Sequence, residues 1–239
     1  MVIDNPIIVA LDVRTAEEAL ALATSVAEHV GGYKVGLGLL HGPGPAVIDA
    51  LTRLDKPVFA DAKLHDIPSQ VEAAARRLGG HGARWVTVHV AGGPAMLEAA
   101  VRGLDDGAGA APAGVLGVTV LTSLGPDDLA RVGIDRSPGE LVSRMAKVAA
   151  AAGCEGVVCS PMELVVVAQT APGLLRCTPG IRPAGSAGGD DQARTAAPAW
   201  AIERGADLLV VGRPITAALD PAAAASAILD EVLGARAAG

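Results

Sequence analysis

Residues 59–68, Phe59-Ala60-Asp61-Ala62-Lys63-Leu64-His65-Asp66-Ile67-Pro68, carry the reading on which the fold turns. Side chains alternate between the two faces of a strand, so Phe59, Asp61 and Lys63 share one face while Ala60, Ala62 and Leu64 share the other. The second face is apolar and suits a covering layer of helices. The first carries two opposite charges near the strand's end, and taking an ion out of water costs several kcal/mol unless a partner or a ligand offsets it. Such a strand fits a parallel barrel, whose C-terminal strand ends open on the mouth where ligands bind. Spacing alone leaves two uses open: an ion pair that closes the top of the barrel, or a pair of groups that act on a ligand.

Outward from this stretch the same unit recurs. Short β-branched runs near 7–12, 33–37, 57–63, 85–90, 114–121, 156–160, 174–178 and 208–212 alternate with longer alanine-rich amphipathic segments, the pattern of parallel strands joined by crossover helices. The helical segments include 15–30, with Thr15 as N-cap and Glu18 at the capping-box position, and 94–104. A last helix over 221–233 opens on Asp220 as N-cap and Pro221 at its first position. Eight such units in 239 residues predict an α/β fold of the (β/α)8 TIM-barrel class, one domain over residues 1–239, rather than an open doubly wound sheet. The glycine-rich residues 183–191 are expected to form a loop after the seventh strand, on the barrel's active face.

Composition narrows the function classes. No apolar run approaches the roughly 20 residues needed to cross a bilayer, and Met1-Val2-Ile3-Asp4-Asn5-Pro6 lacks the basic start and apolar core of a signal peptide, so a cytoplasmic protein with no membrane partner is expected. The net charge of −7 argues against nucleic acid as a partner, because phosphate-backbone binding needs an excess of Lys and Arg. Tyr33, Phe59, Trp85 and Trp200 are too few aromatics for a base-stacking platform. Cys154, Cys159 and Cys177 are odd in number and lack CxxC spacing, which points to buried free thiols rather than disulfides or zinc.

Polar residues at the expected strand ends form a coherent set: Asp12 after the first, Lys34 in the second, Asp61 and Lys63 on the third, His89 on the fourth, Thr122 and Ser123 on the fifth, and Arg213 after the eighth. Barrel enzymes often hold phosphate with the loops after strands 7 and 8. Here those loops are Thr178-Pro179-Gly180-Ile181-Arg182-Pro183 and Val211-Gly212-Arg213-Pro214, with Arg213 suited to a bidentate charge-assisted contact. Each alone also reads as an ordinary Gly/Pro turn; together, after the expected two strands, they favour a phosphate.

Asp61-x-Lys63-x-x-Asp66, with Val118-Thr119-Val120-Leu121-Thr122-Ser123, the 178–183 segment and Val210-Val211-Gly212-Arg213-Pro214-Ile215, resembles the orotidine 5′-monophosphate decarboxylase family of the common bacterial type. The likeness runs from Ile8 to Pro221, nearly the whole chain. It implies cofactor-free decarboxylation of orotidine 5′-monophosphate to uridine 5′-monophosphate in pyrimidine biosynthesis, with Lys63 as proton donor. It further implies that Lys34, Asp61, Lys63 and Asp66 form an alternating charged array around the substrate carboxylate, Asp66 coming from the other subunit of a homodimer. Asp12 and Lys34 are implied to hold the ribose, Ser123 the pyrimidine, and Gln192, Arg213 and the Gly212 backbone the phosphate. Ser69-Gln70 stand where the family often has Asn-Thr, Gly38 where it often has Glu, and Ala91 where it often has Ser. His65 and His89 are read as hydrogen-bonding groups of the mouth rather than as catalysts.

Two readings compete: a sugar-phosphate decarboxylase or aldolase of the same superfamily, which uses magnesium to stabilise an enediolate, and a silent barrel that only binds nucleotides. No cofactor and no metal are expected, since every implied role falls to a side chain or to backbone. Turnover of orotidine 5′-monophosphate should therefore persist in EDTA. Loss of turnover that magnesium restores would favour the sugar-phosphate chemistry instead.

Overall fold

The computed structural model describes residues 4–183 and 195–238. Each strand is followed by at least one helix, in the order β1 (Ile7–Ala10), α1 (Ala16–Val26), β2 (Gly32–Val35), α2 (Leu37–His41), α3 (Ala46–Thr52), β3 (Val58–Leu64) and α4 (Pro68–Gly80). There follow β4 (Ala83–His89), α5 (Pro94–Ala108), β5 (Gly114–Val118), α6 (Pro126–Arg131), α7 (Pro138–Ala151), β6 (Gly156–Val158) and α8 (Leu164–Thr170). The chain ends with β7 (Leu175–Thr178), α9 (Pro198–Glu203), β8 (Leu208–Val211), α10 (Arg213–Thr216) and α11 (Pro221–Ala238). The strands pair in parallel and in sequence order, and β1 pairs with β8 to close the barrel. All eight expected strands are present.

Local chemistry sets the boundaries. Thr15 and Glu18 form the capping box at the start of α1, with Thr15 Oγ1 accepting from Glu18 N at 3.2 Å, and Asp220 accepts from Ala223 N at 3.0 Å at the start of α11. Strand 5 corrects the expectation of 114–121. It stops at Val118 because its neighbour β6 ends at Val158, the last residue it has to pair with. Thr119 then gives both its amide and its hydroxyl to Val158 O, at 3.2 and 2.7 Å. Ser123 consequently lies on a loop over the mouth, not on a strand end. Asp12 likewise lies two residues beyond the end of β1.

The interior of the barrel is packed, not hollow: Ile8, Phe59, Trp85, Leu116, Cys177 and Leu208 fill it. Ala60, Ala62 and Leu64 face the other way, into the layer between strands and helices, as alternation along 59–64 requires. The N-terminal end is closed by ion pairs. Glu155 receives Arg84 at 2.5 and 2.7 Å and the Trp85 indole N–H at 3.1 Å, and Asp207 receives Arg176 at 2.9 Å.

Helices α4 and α5 cover the strands that carry the charged stretch, and they approach to backbone contact. A Cβ on Gly79 would stand 2.7 Å from Leu104 O, one on Gly107 2.8 Å from the carbonyl carbon of Arg76, and one on Gly103 2.9 Å from that of Glu72. Alanine is intrinsically better than glycine in a helix by about 1 kcal/mol, whereas overpacking costs about 1–3 kcal/mol. Gly103→Ala should therefore destabilise the protein, while Gly234→Ala in α11, with nothing within 4 Å of the added carbon, should stabilise it slightly. Urea unfolding measures both; a more stable Gly103→Ala variant would refute the close approach.

Candidate active site

The mouth holds a chain of alternating charges. Lys34 Nζ lies 3.3 Å from Asp12 Oδ1 and 3.5 Å from Asp61 Oδ2, and the same Asp61 oxygen is 2.7 Å from Lys63 Nζ. The other Asp61 oxygen accepts the Thr87 hydroxyl at 2.9 Å. Asp61 is 9% exposed and Lys34 8%. Burial by itself would raise the carboxyl pKa of Asp61, but Lys34 and Lys63 beside it, with the hydrogen bonds from Lys63 and Thr87, hold it below the usual carboxylate range. Under the array lies Cys177, a fully buried thiol pushed well above its ordinary value first by burial and then by Asp61. It is a neutral, apolar floor.

A bulge in β3 aims these groups. The β3–β4 register runs Ala60↔Val86 and then Leu64↔Val88, so residues 61–63 lie opposite Thr87 alone. Lys63 takes φ +47°, a left-handed conformation costly for a side chain of this size. Its amide, displaced from the ladder, donates to Thr87 Oγ1 at 2.8 Å.

Asp12, Lys34, Asp61, Lys63, Ser123, Gly212 and Arg213 line one cavity of about 630 Å³. These seven of the expected site residues are thus brought together from the ends of β1, β2, β3 and β8 and from the loop that follows β5. At Gly36 an added Cβ would stand 3.0 Å from Asp12 Oδ1 and 3.2 Å from Lys34 Nζ, so that the ion pair would have to shift slightly to admit it. Asp66 is not in this lining: it is exposed on the turn into α4, where its Oδ1 accepts the Ile67 amide at 2.6 Å. Gln192 lies outside the described residues, as does most of the 183–191 loop.

The histidines sit beside the cavity rather than in its wall. Their ring centroids are 5.4 Å apart. His89 is held below the ordinary imidazole value by burial, with His65 and Lys63 adding to the effect and Asp61 opposing it, which favours its neutral form. Two residues received no individual role from the sequence. Arg182, within the 178–183 segment read as a phosphate loop, lines the cavity and donates from its guanidinium to Ile181 O at 2.8 Å. Thr87 was passed over because only the end of its strand, His89, was considered, although residues 85, 87 and 89 share the inward face. Among the described residues no three His, Cys, Asp or Glu side chains cluster in a way that would hold a metal ion, and no helix is long and apolar enough to cross a membrane.

The fold and the site define a (β/α)8-barrel protein with a Lys–Asp–Lys array, buried at Lys34 and Asp61, in the wall of a polar cavity at its mouth. Residues 5–228 match the sequence model of the orotidine 5′-phosphate decarboxylase / HUMPS family. The chain is 52% identical over 220 residues to a protein of Anaeromyxobacter sp. (strain K) named orotidine 5′-phosphate decarboxylase, covering 92% of this chain and 94% of that one. It is 47% identical over 229 residues to a protein of the same name from Thermobifida fusca (strain YX), with 95% of each chain covered. Its structure is similar to the crystal structure of orotidine 5′-phosphate decarboxylase from Lactobacillus acidophilus, with a TM-score of 0.84 at 38% identity over 96% of this chain and 99% of that one. The chain belongs to the orotidine 5′-phosphate decarboxylase / HUMPS family.

The lowered pKa of Asp61 has a testable sign. Its stabilising contribution is complete above the unfolded-chain value, about 3.9, and is lost as pH falls through the lower folded-state value. Asp61→Asn should be less stable than wild type by about 3 kcal/mol at neutral pH, because Lys63 loses its ion-pair partner and buried Lys34 keeps only Asp12. The gap in urea midpoints should close on acidification below the ordinary carboxylate range; a gap that ignores pH would show that Asp61 is not ionised in the native protein.

Proposed function

We propose that the protein decarboxylates orotidine 5′-monophosphate to uridine 5′-monophosphate, in cytoplasmic pyrimidine biosynthesis, as a single-domain enzyme that uses no cofactor. The observation that carries this reading is the Asp12–Lys34–Asp61–Lys63 chain of charges in the wall of a cavity that also presents Ser123, Gly212 and Arg213. Relatives named for this activity, 52% and 47% identical over nearly the whole chain, support it.

In the reaction the bond from C6 of the pyrimidine to its carboxylate breaks, carbon dioxide leaves, and the electron pair stays on C6 with no ordinary sink to accept it. A cation beside C6 is the minimal stabiliser. Lys63 fills that role: its ammonium stabilises the developing carbanion and then donates the proton that forms the new C6–H bond, to be reprotonated from solvent. Asp61, whose Oδ2 is 2.7 Å from Lys63 Nζ, sits beside the departing carboxylate and disfavours the bound ground state. Two unit charges at 4 Å interact by roughly 4 kcal/mol at an effective dielectric near 20, whereas the largest enzymatic accelerations need on the order of 20 kcal/mol. Repulsion is therefore the smaller part. The rest comes from the carbanion's attraction to Lys63 and from remote binding energy, with Asp12 and Lys34 holding the ribose, Ser123 the pyrimidine, and Gly212, Arg213 and Gln192 the phosphate.

Asp66 completes the array in the other subunit of a homodimer. One feature supports this: its carboxylate is exposed and outside its own chain's cavity. The purified protein should consume orotidine 5′-monophosphate, followed by its absorbance loss. Lys63→Ala and Asp66→Ala should each be nearly inactive. Mixed, they should regain roughly a quarter of wild-type sites, because half the dimers are hybrids and each hybrid has one intact site. No recovery, with subunit exchange confirmed by mass, would rule out the shared site; no turnover by wild type would rule out the activity.

A further inference from the structure

We propose that Thr87 is the positioning residue of this site: its one hydroxyl sets both the backbone of Lys63 and the carboxylate of Asp61, and so fixes where the proton donor stands. The proposal rests on the decarboxylase reading above. Thr87 lies in β4 with none of its surface exposed. Its hydroxyl accepts from Lys63 N at 2.8 Å and donates to Asp61 Oδ1 at 2.9 Å. A hydroxyl has one hydrogen to give and two lone pairs. An ionised Asp61 claims the hydrogen, which leaves the lone pairs for the amide of Lys63, so the two bonds have a single consistent polarity.

The bulge explains why both bonds are needed. Between Ala60↔Val86 and Leu64↔Val88 the ladder offers no backbone partner for the Lys63 amide, and a buried N–H without a partner is costly. Thr87 supplies the missing acceptor from a side chain. In doing so it holds Lys63 at φ +47°, from which Nζ reaches Asp61 Oδ2 at 2.7 Å. Without the hydroxyl, β3 has a cheaper course: Lys63 relaxes to extended backbone and its ammonium moves off the axis of the array. A displacement of about 1 Å at a reacting group is enough to cost about 100-fold in rate.

Thr87→Val keeps the shape and removes both bonds; Thr87→Ser keeps both bonds and removes a methyl. With Thr87→Val, kcat should fall about 10- to 100-fold, while KM and the affinity for uridine 5′-monophosphate, which depend on the ribose and phosphate contacts, change by less than about threefold. Thr87→Ser should recover most of kcat. The acid limb of the kcat profile should move to higher pH in Thr87→Val, since Asp61, faced by Lys34, Lys63 and the Cys177 thiol, loses a hydrogen bond that favours its charge. Hydrogen exchange at the Lys63 amide gives a readout independent of turnover: protection should be lost in Thr87→Val and kept in Thr87→Ser.

Wild-type kcat in Thr87→Val, or an equal loss in Thr87→Ser, would overturn the proposal. So would a fall in kcat accompanied by an equal loss of nucleotide affinity, which is the signature of general misfolding. Wild-type protein that leaves the substrate untouched would sink the decarboxylase reading instead, and the exchange experiment then judges Thr87 alone. Should Thr87→Val not fold, Thr87→Cys, close in size with a far weaker donor and acceptor, takes its place with the same outcomes.

Discussion

Lys34, Asp61 and Lys63 share the mouth of the barrel with no more than 3.5 Å between neighbours, and two of the three are nearly closed off from water. Each such ion loses several kcal/mol of hydration, and the loss is recovered only if the partners stand at contact distance with their remaining hydrogen-bonding capacity filled. The local architecture serves this condition. Both lysines converge on one oxygen of Asp61 while Thr87 fills the other, Gly36 leaves room for the Asp12–Lys34 pair, and a neutral thiol lies beneath. A carboxylate held this way stays charged, and a low-dielectric setting makes its field stronger than the same charges would give in water.

The barrel's larger features follow as support for that arrangement. Parallel strands deliver residues from β1, β2, β3 and β8 to one end, and the packed interior of Ile8, Phe59, Trp85 and Leu116 keeps those ends from shifting relative to one another. Strands β3 and β4 bear the greatest demand because the bulge lies between them, and they are covered by the most closely packed helices, with Gly79, Gly103 and Gly107 letting α4 and α5 meet at their backbones. The ion pairs at the opposite end illustrate the contrast. Arg84–Glu155 and Arg176–Asp207 are paired with each other by two guanidinium bonds apiece and lie outside the cavity lining, as a structural ion pair does. Polarity at the mouth is instead arranged around a cavity.

Backbone strain coincides with the proposed proton donor at Lys63. A lysine in left-handed backbone is tolerated only where its surroundings over-determine it, and here the determinants are a side-chain hydroxyl and a charge partner. That strain adjusts the position of an ammonium which strand alternation already places on the inward face. The exposed turn at Asp66 and Ile67 is the complementary feature: the same short segment carries two charges, Asp61 and Lys63, inward on the strand and a third, Asp66, outward beyond it.

Alternation within 59–64, the β-branched runs and the caps at Thr15 and Asp220 were legible in the chain, because each depends on neighbours in sequence and on the fixed periods of strand and helix. They were enough to give eight strands, their order and the inward face of Asp61 and Lys63. The ends of strands were less legible. Val118 ends β5 only because β6 stops at Val158, a fact about a neighbour some forty residues away. The bulge at residues 61–63 and the left-handed Lys63 were not legible at all, since a register slip is a property of two paired strands; alternation puts Thr87 on the inward face of β4 but does not reveal its two hydrogen bonds, which depend on that slip. The sequence by itself thus determined which groups stand at the mouth; their distances, their charge states and the turn of Lys63 were decided by tertiary structure, because hydrogen bonding and dielectric are set by what lies within a few ångströms in space, whatever its separation along the chain.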